Sequence, residues 1–119
     1  MAVLAIAPVT DLSLLRQQAR GFNNSRLAAT YVGAGDHLVQ GSPLKQAAAI
    51  KVPVLLAHGD MDTNVSSEHS VRMSEALKKN GGSVEFLRYK DLDHQLDDSE
   101  TRVELLTRIA TFLDRSLGR

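Results

Sequence analysis

Val52-Pro53-Val54-Leu55-Leu56-Ala57-His58-Gly59-Asp60-Met61-Asp62-Thr63-Asn64-Val65 divides into two unlike halves. Val52 to Ala57 is an unbroken apolar run, with Pro53 tolerated close to its beginning, where a strand has least need of a backbone donor. His58 to Asn64 is polar and dense in Asp. An apolar run that ends in a polar loop is the pattern of a strand in a parallel sheet, with functional groups gathered beyond its carboxyl end.

Working outward, two further runs read as strands. Ala2 to Ala7 (AVLAIA) is apolar throughout and stopped by Pro8, which predicts a strand buried on both faces. Ser83 to Tyr89 carries Val84, Phe86 and Leu87 as its apolar members. Helical segments fill the gaps. Leu12, Leu14 and Leu15 predict a short helix, Gly21 to Asn24 a loop, Ser25 to Tyr31 a second helix capped by Ser25, and Leu44 to Ile50 an alanine-rich helical piece after the Ser42-Pro43 turn. Ser66 or Ser67 caps a helix with Glu68–Arg72 and Glu75–Lys79 pairs, ended by Asn80-Gly81-Gly82. Asp97-x-x-Glu100 starts the last helix, where Val103, Leu106, Ala110, Leu113 and Leu117 recur at three- and four-residue steps and predict one core-facing stripe. Strand, helices, strand, helix, strand, helix gives an α/β chain of about three parallel strands with flanking helices and right-handed crossovers.

Composition removes several classes of function. Fourteen Lys/Arg offset fourteen Asp/Glu among 119 residues, a balance that argues against a nucleic-acid or anionic-membrane partner. Cysteine is absent, which excludes a thiol nucleophile, a disulfide scaffold and a zinc ribbon, and is compatible with either a cytoplasmic or a periplasmic setting. No apolar run approaches the ~20 residues that span a bilayer, and Met1 to Ala7 lacks the basic flank of a signal peptide.

Two loops occupy the strand ends where chemistry collects: the one containing Asp62 and the one running Asp91-Leu92-Asp93-His94. Asp62 and His94 are 32 positions apart, room for one helix and one strand. On neighbouring strand ends such a pair can work as a unit: the carboxylate orients one ring nitrogen, and the other exchanges a proton with a nucleophile. Asp before His is the chain order of an α/β-hydrolase, whose serine precedes both. Taken alone, Asp62 reads first as a solvated loop carboxylate and His94 as a surface histidine. His58 reads as structural, bonding backbone around the acid loop, and His37 and His69 as exposed. Asp91, Asp93, Asp97 and Asp98 lack the spacing of a Ca²⁺ loop, and Gly33-x-Gly35 has neither the lysine of a phosphate loop nor the third glycine of a dinucleotide fingerprint, so no metal and no cofactor is expected. Phe22 and Tyr31 read as packing residues before pocket residues.

At these residues the chain resembles the prolyl oligopeptidase (S9) family of serine peptidases, most closely its bacterial dipeptidyl-aminopeptidase and acylaminoacyl-peptidase-like members. The acid-loop pattern HG-x-x-D-x-x-V is present as His58 to Val65, and Ala7-Pro8-Val9-Thr10-Asp11, Tyr31-Val32-Gly33, Ser42-Pro43-Leu44 and Asp93-His94 with Ser99-Glu100-Thr101-Arg102 follow the family in order. The resemblance implies the last strands of an α/β-hydrolase domain, with Asp62 as triad acid, His94 as general base, a peptide-like substrate, and Pro8 to Tyr31 lying over its pocket. Two departures stand out. Gln95 follows the histidine where relatives often carry an aromatic, and no G-x-S-x-G occurs: Gly41-Ser42 runs into proline and Gly82-Ser83 opens a strand.

Residues 1–119 are therefore expected to be the C-terminal segment of a catalytic domain, without its nucleophile elbow and inactive alone. The rival is a stand-alone, non-catalytic α/β module, a pseudoenzyme or an assembly piece. Either way, an apolar strand at Ala2 to Ala7 with nothing before it is expected to leave an open edge that drives self-association, strand exchange or pairing with a complementing chain.

Overall fold

A computed structural model describes residues 1–118. Three strands, β1 (Val3–Ile6), β2 (Val54–Gly59) and β3 (Val84–Tyr89), form one parallel sheet in the order β1-β2-β3. Register runs from Val3 opposite Val54 to Ile6 opposite Ala57, and from Val54 opposite Val84 to Gly59 opposite Tyr89. Five α-helices accompany them: α1 (Leu12–Gln18), α2 (Ser25–Val32), α3 (His37–Gln40), α4 (Glu68–Lys79) and α5 (Ser99–Leu117). Short 3₁₀ segments cover Ala19–Gly21 and Pro43–Ala49. The resulting α/β architecture, three parallel strands with flanking helices, is the one the sequence predicts.

Alternation along β2 divides the core between the two faces of the sheet. Val54 and Leu56 pack with Ala47, Met73 and Leu77, bringing α4 and the Pro43–Ala49 segment onto one face. Leu55 and Ala57 pack with Leu87, Leu96, Leu105 and Phe112 beneath α5 on the other. Every residue of β2 is buried.

Local caps fix where the helices begin and end. Asp11 accepts from the amides of Ser13 and Leu14 at the start of α1, and Asp98 accepts from the Thr101 amide at 2.8 Å at the start of α5. That α5 cap lies one residue beyond the Asp97 of the sequence pattern. Ser25 is the first residue of α2 rather than its cap, a position held by Asn24. Gly81, at φ 72°, supplies the left-handed residue after α4.

Expectations of burial are corrected along β1 and α5. β1 is not enclosed: Val3, Leu4 and Ile6 are 41%, 38% and 47% exposed. Leu4 and Ile6 share a sheet face with Leu55 and Ala57 through the register, but the core on that face is built by α5 over β2 and β3. The stripe on α5 is also displaced. Leu105 and Phe112 are its buried residues, with Ile109 and Leu113 packed beside them, whereas Val103, Leu106 and Leu117 are exposed. The helix carries two adjacent apolar stripes, and the one bearing Phe112 takes the sheet.

Candidate active site

The site begins where β2 ends. A Cβ on Gly59 would lie 2.3 Å from the Leu92 carbonyl oxygen and 2.6 Å from that of Asp93, so only glycine lets the loop after β3 lie against this point. Two backbone hydrogen bonds then join the loops: the Asp60 amide to Tyr89 O and the Met61 amide to Leu92 O, both 2.9 Å. The His-Gly pair thus brings the two loops named from the sequence side by side.

Asp62 and His94 meet there. The Asp62 side chain is fully buried and His94 half-buried. Oδ1 of Asp62 accepts the amides of Asn64 and Val65, each at 2.8 Å, and Oδ2 accepts from Nδ1 of His94 at 2.7 Å. Burial alone pushes the Asp62 carboxyl up. The Val65 amide, the His94 ring and the Asn64 amide outweigh that and hold it below the ordinary aspartate value. The other aspartate of the loop, Asp60, turns away to Arg88, whose Nε is 2.6 Å from its Oδ1.

The histidine loop is fastened from below. Leu96 adopts φ 49°, a conformation costly for a leucine, and inserts its side chain into the core under α5. Arg102 of α5 donates to Leu96 O at 3.0 Å and to Gln95 O at 3.3 Å, and Asp93 Oδ1 accepts the Gln95 amide. His94 therefore projects from a braced turn, with Nδ1 committed to Asp62 and no hydrogen bond to Nε2 among the described residues. A carboxylate-held imidazole with one free nitrogen can take up a proton and give it back.

The remaining candidates take other places. Beneath the acid loop His58 is wholly buried, with Nε2 2.8 Å from Val65 O and Nδ1 2.8 Å from Ser70 Oγ on α4. His69, expected to be exposed, is fully buried: its Nδ1 accepts the Thr10 amide at 3.2 Å while its backbone carbonyl accepts from the Thr10 hydroxyl. This ties the segment after β1 to the first turn of α4, and burial lowers the His69 pKa. His37 is exposed and bonds Val32 O. Ser42, of the first Gly-Ser step, is buried between the Leu12 amide and Leu38 O. Among the described residues no group of three or more His, Asp or Glu could hold a metal ion.

Beside the acid loop lies a groove of about 540 Å³, with Leu15, Ala19, Phe22 and Val32 on one side and Thr63 and Asn64 on the other. Phe22 lines it; Tyr31, 83% exposed, points elsewhere. The sequence reading did not find Ser70 or the packing duty of Gly59. The available signal for the first was a serine on the same face of α4 as Met73 and Leu77, where an apolar residue is expected.

A parallel sheet with an Asp–His pair on adjoining strand ends defines the class, an α/β-hydrolase-type domain. A sequence model described as the prolyl oligopeptidase family matches residues 1–119, and the chain belongs to that family. Dipeptidyl peptidase family member 2 of Caenorhabditis elegans is 34% identical over 98 residues, covering 78% of this chain and 11% of that protein. Among solved structures, the acylaminoacyl peptidase of Pyrococcus horikoshii superposes with a TM-score of 0.84 at 18% identity, over 99% of this chain and 20% of its own. A puromycin-hydrolyzing peptidase of Mycobacterium tuberculosis gives 0.83 at 23% identity, over 98% and 18%. These structures establish the fold, the α/β-hydrolase domain of S9 peptidases; the chain spans a fifth or less of each of these three relatives.

Proposed function

We propose that residues 1–119 form the C-terminal part of a serine peptidase catalytic domain, in which Asp62 is the triad acid and His94 the general base. The observation that carries this reading is the 2.7 Å bond from His94 Nδ1 to an Asp62 carboxylate whose other oxygen is held by two amides. A serine from a preceding part of the same domain attacks the peptide or ester carbonyl, His94 takes its proton and returns it to the leaving group, and Asp62 keeps the ring oriented. No G-x-S-x-G is present in the 119 residues to supply that serine. The apolar groove beside Asp62 receives a side chain of the peptide-like substrate, and the open edge of β1 is where the rest of the sheet joins.

The test has two arms. The purified chain is expected to show no specific serine labelling by a fluorophosphonate probe, and labelling at one serine overturns the reading. The reading frame 5′ of Met1 is expected to encode Gly-x-Ser-x-Gly; a stop codon there favours the stand-alone module instead. In the joined protein, His94→Ala is expected to lower kcat on the order of 10⁶-fold and Asp62→Asn on the order of 10⁴-fold. Hydrolysis that survives His94→Ala removes the residue from the mechanism.

A further inference from the structure

His58 lies between α4 and the acid loop with none of its surface exposed. Its Nε2 is 2.8 Å from the Val65 carbonyl oxygen, an atom that only accepts, so Nε2 carries a hydrogen. On the opposite side Nδ1 is 2.8 Å from Ser70 Oγ, whose hydroxyl can donate to it. The same Nε2 is 3.3 Å from Asp62 Oδ2, the oxygen that accepts from His94. The N–H is spent on the Val65 carbonyl, and the Asp62 carboxylate lies beside that bond, close but not hydrogen-bonded to it, in a buried place where electrostatic attraction is least screened.

The consequence is a carboxylate hemmed in at both oxygens. Amides of Asn64 and Val65 fill Oδ1, and two imidazoles face Oδ2. Val65 is gripped twice, its amide on Asp62 and its carbonyl on His58, so the loop cannot turn without breaking both. Resting on the triad reading above, we infer that His58 is a positioning residue: Ser70 and the Val65 carbonyl hold it as the Nε2–H tautomer, and it fixes the plane of the Asp62 carboxylate and through it the aim of His94. The function of the site then depends on a serine of α4 that touches neither Asp62 nor substrate.

A residue that merely fills space beneath the loop predicts that an apolar side chain of similar size serves equally well; a positioning residue does not. The experiment uses the 119-residue chain with ¹⁵N-labelled histidine. Long-range ¹H–¹⁵N correlations are expected to show His58 as the Nε2–H tautomer, and His94 Nδ1–H as a far-downfield proton slow to exchange with solvent. In His58→Leu that proton is expected to exchange about tenfold faster, the factor that accompanies loss of one hydrogen bond of ordinary net worth. His58→Gln, whose amide nitrogen overlays Nε2, is expected to restore it. A wild-type His58 found as the Nδ1–H tautomer overturns the inference with no variant required, as does a His94 proton indifferent to His58→Leu. Asp62→Asn separates this from the parent reading: a downfield His94 proton that survives Asp62→Asn defeats the Asp62–His94 pair itself.

Discussion

Along β3 the outer edge of the sheet is fenced by charge, and along β1 it is bare. On the α5 side of β3, Glu85 accepts from Arg108, with Nε at 3.0 Å, and from Arg115 at 3.3 Å; towards the loops Arg88 is paired with Asp60. Such ion pairs are a recognised means of keeping a strand edge from recruiting another chain. β1 has no equivalent: its side chains are Val, Leu, Ala and Ile, and three of the four are more than a third exposed. One edge is finished and the other has the composition of an interior strand, as expected if the sheet continues beyond β1 and stops at β3.

The largest effect that tests this contrast is on the core between the edges. Leu55 of β2 has no exposed surface, whereas Leu4, opposite it in register, is 38% exposed. Leu55→Ala is expected to destabilise the chain by about 2–5 kcal/mol in urea unfolding, the range for a buried leucine that leaves a cavity. Leu4→Ala is expected to cost no more than about 1 kcal/mol, in keeping with substitutions at open positions. Equal costs would mean that β1 is as well supported as β2 and would erase the difference between the two edges.

Association comes next. The isolated chain is expected to sediment with a weight-average coefficient that rises with concentration, because β1 presents unpaired backbone and apolar side chains together. Leu4→Lys with Ile6→Lys gives β1 the charged character of β3 and is expected to remove that dependence. A wild-type monomer that stays monodisperse over a wide concentration range breaks the comparison at its root.

Sequence and structure part company at these same places. AVLAIA and VPVLLA are alike as strings, and both do form strands; an apolar run declares that a strand belongs inside a sheet but carries no record of whether its neighbour is present. On α5, residues 103, 106, 110, 113 and 117 and residues 105, 109, 112 and 113 are both helical stripes, and periodicity cannot choose between stripes that share a residue. Contact with Leu55, Ala57 and Leu87 chooses. Asp62 and His94 were legible as a pair because strand ends and chain order allow them to meet and the acid-loop pattern from His58 to Val65 singles out Asp62; taken alone, each reads as a solvent-facing residue. His69 was not, since a polar residue in the first turn of a helix reads as solvent-facing until the Thr10 amide comes down upon it. Nor was Ser70, whose partner His58 belongs to the strand beneath the helix and is named only by packing.

The smallest effect belongs to the fence itself. The hydrogen bond from Arg108 holds the Glu85 carboxyl below its ordinary value, burial opposing it and Arg115 adding to it. A carboxyl depressed in the folded state contributes stability that is complete above the unfolded glutamate pKa of about 4.3 and is lost as pH falls through the folded value. Arg108 is about half exposed and Arg115 more so, and screening by solvent limits the contribution. Glu85→Gln is expected to cost about 1 kcal/mol or less at neutral pH and low salt, and to cost less as salt is raised. Below the folded-state pKa the variant and the wild type are expected to unfold at the same urea concentration. If Glu85→Gln also makes the charge-bearing Leu4→Lys, Ile6→Lys chain associate, the ion pairs serve chiefly to close the β3 edge. If association is unchanged and only the pH-dependent stability is lost, twist and the cover of α5 close that edge, and the charges stabilise the α5–β3 contact.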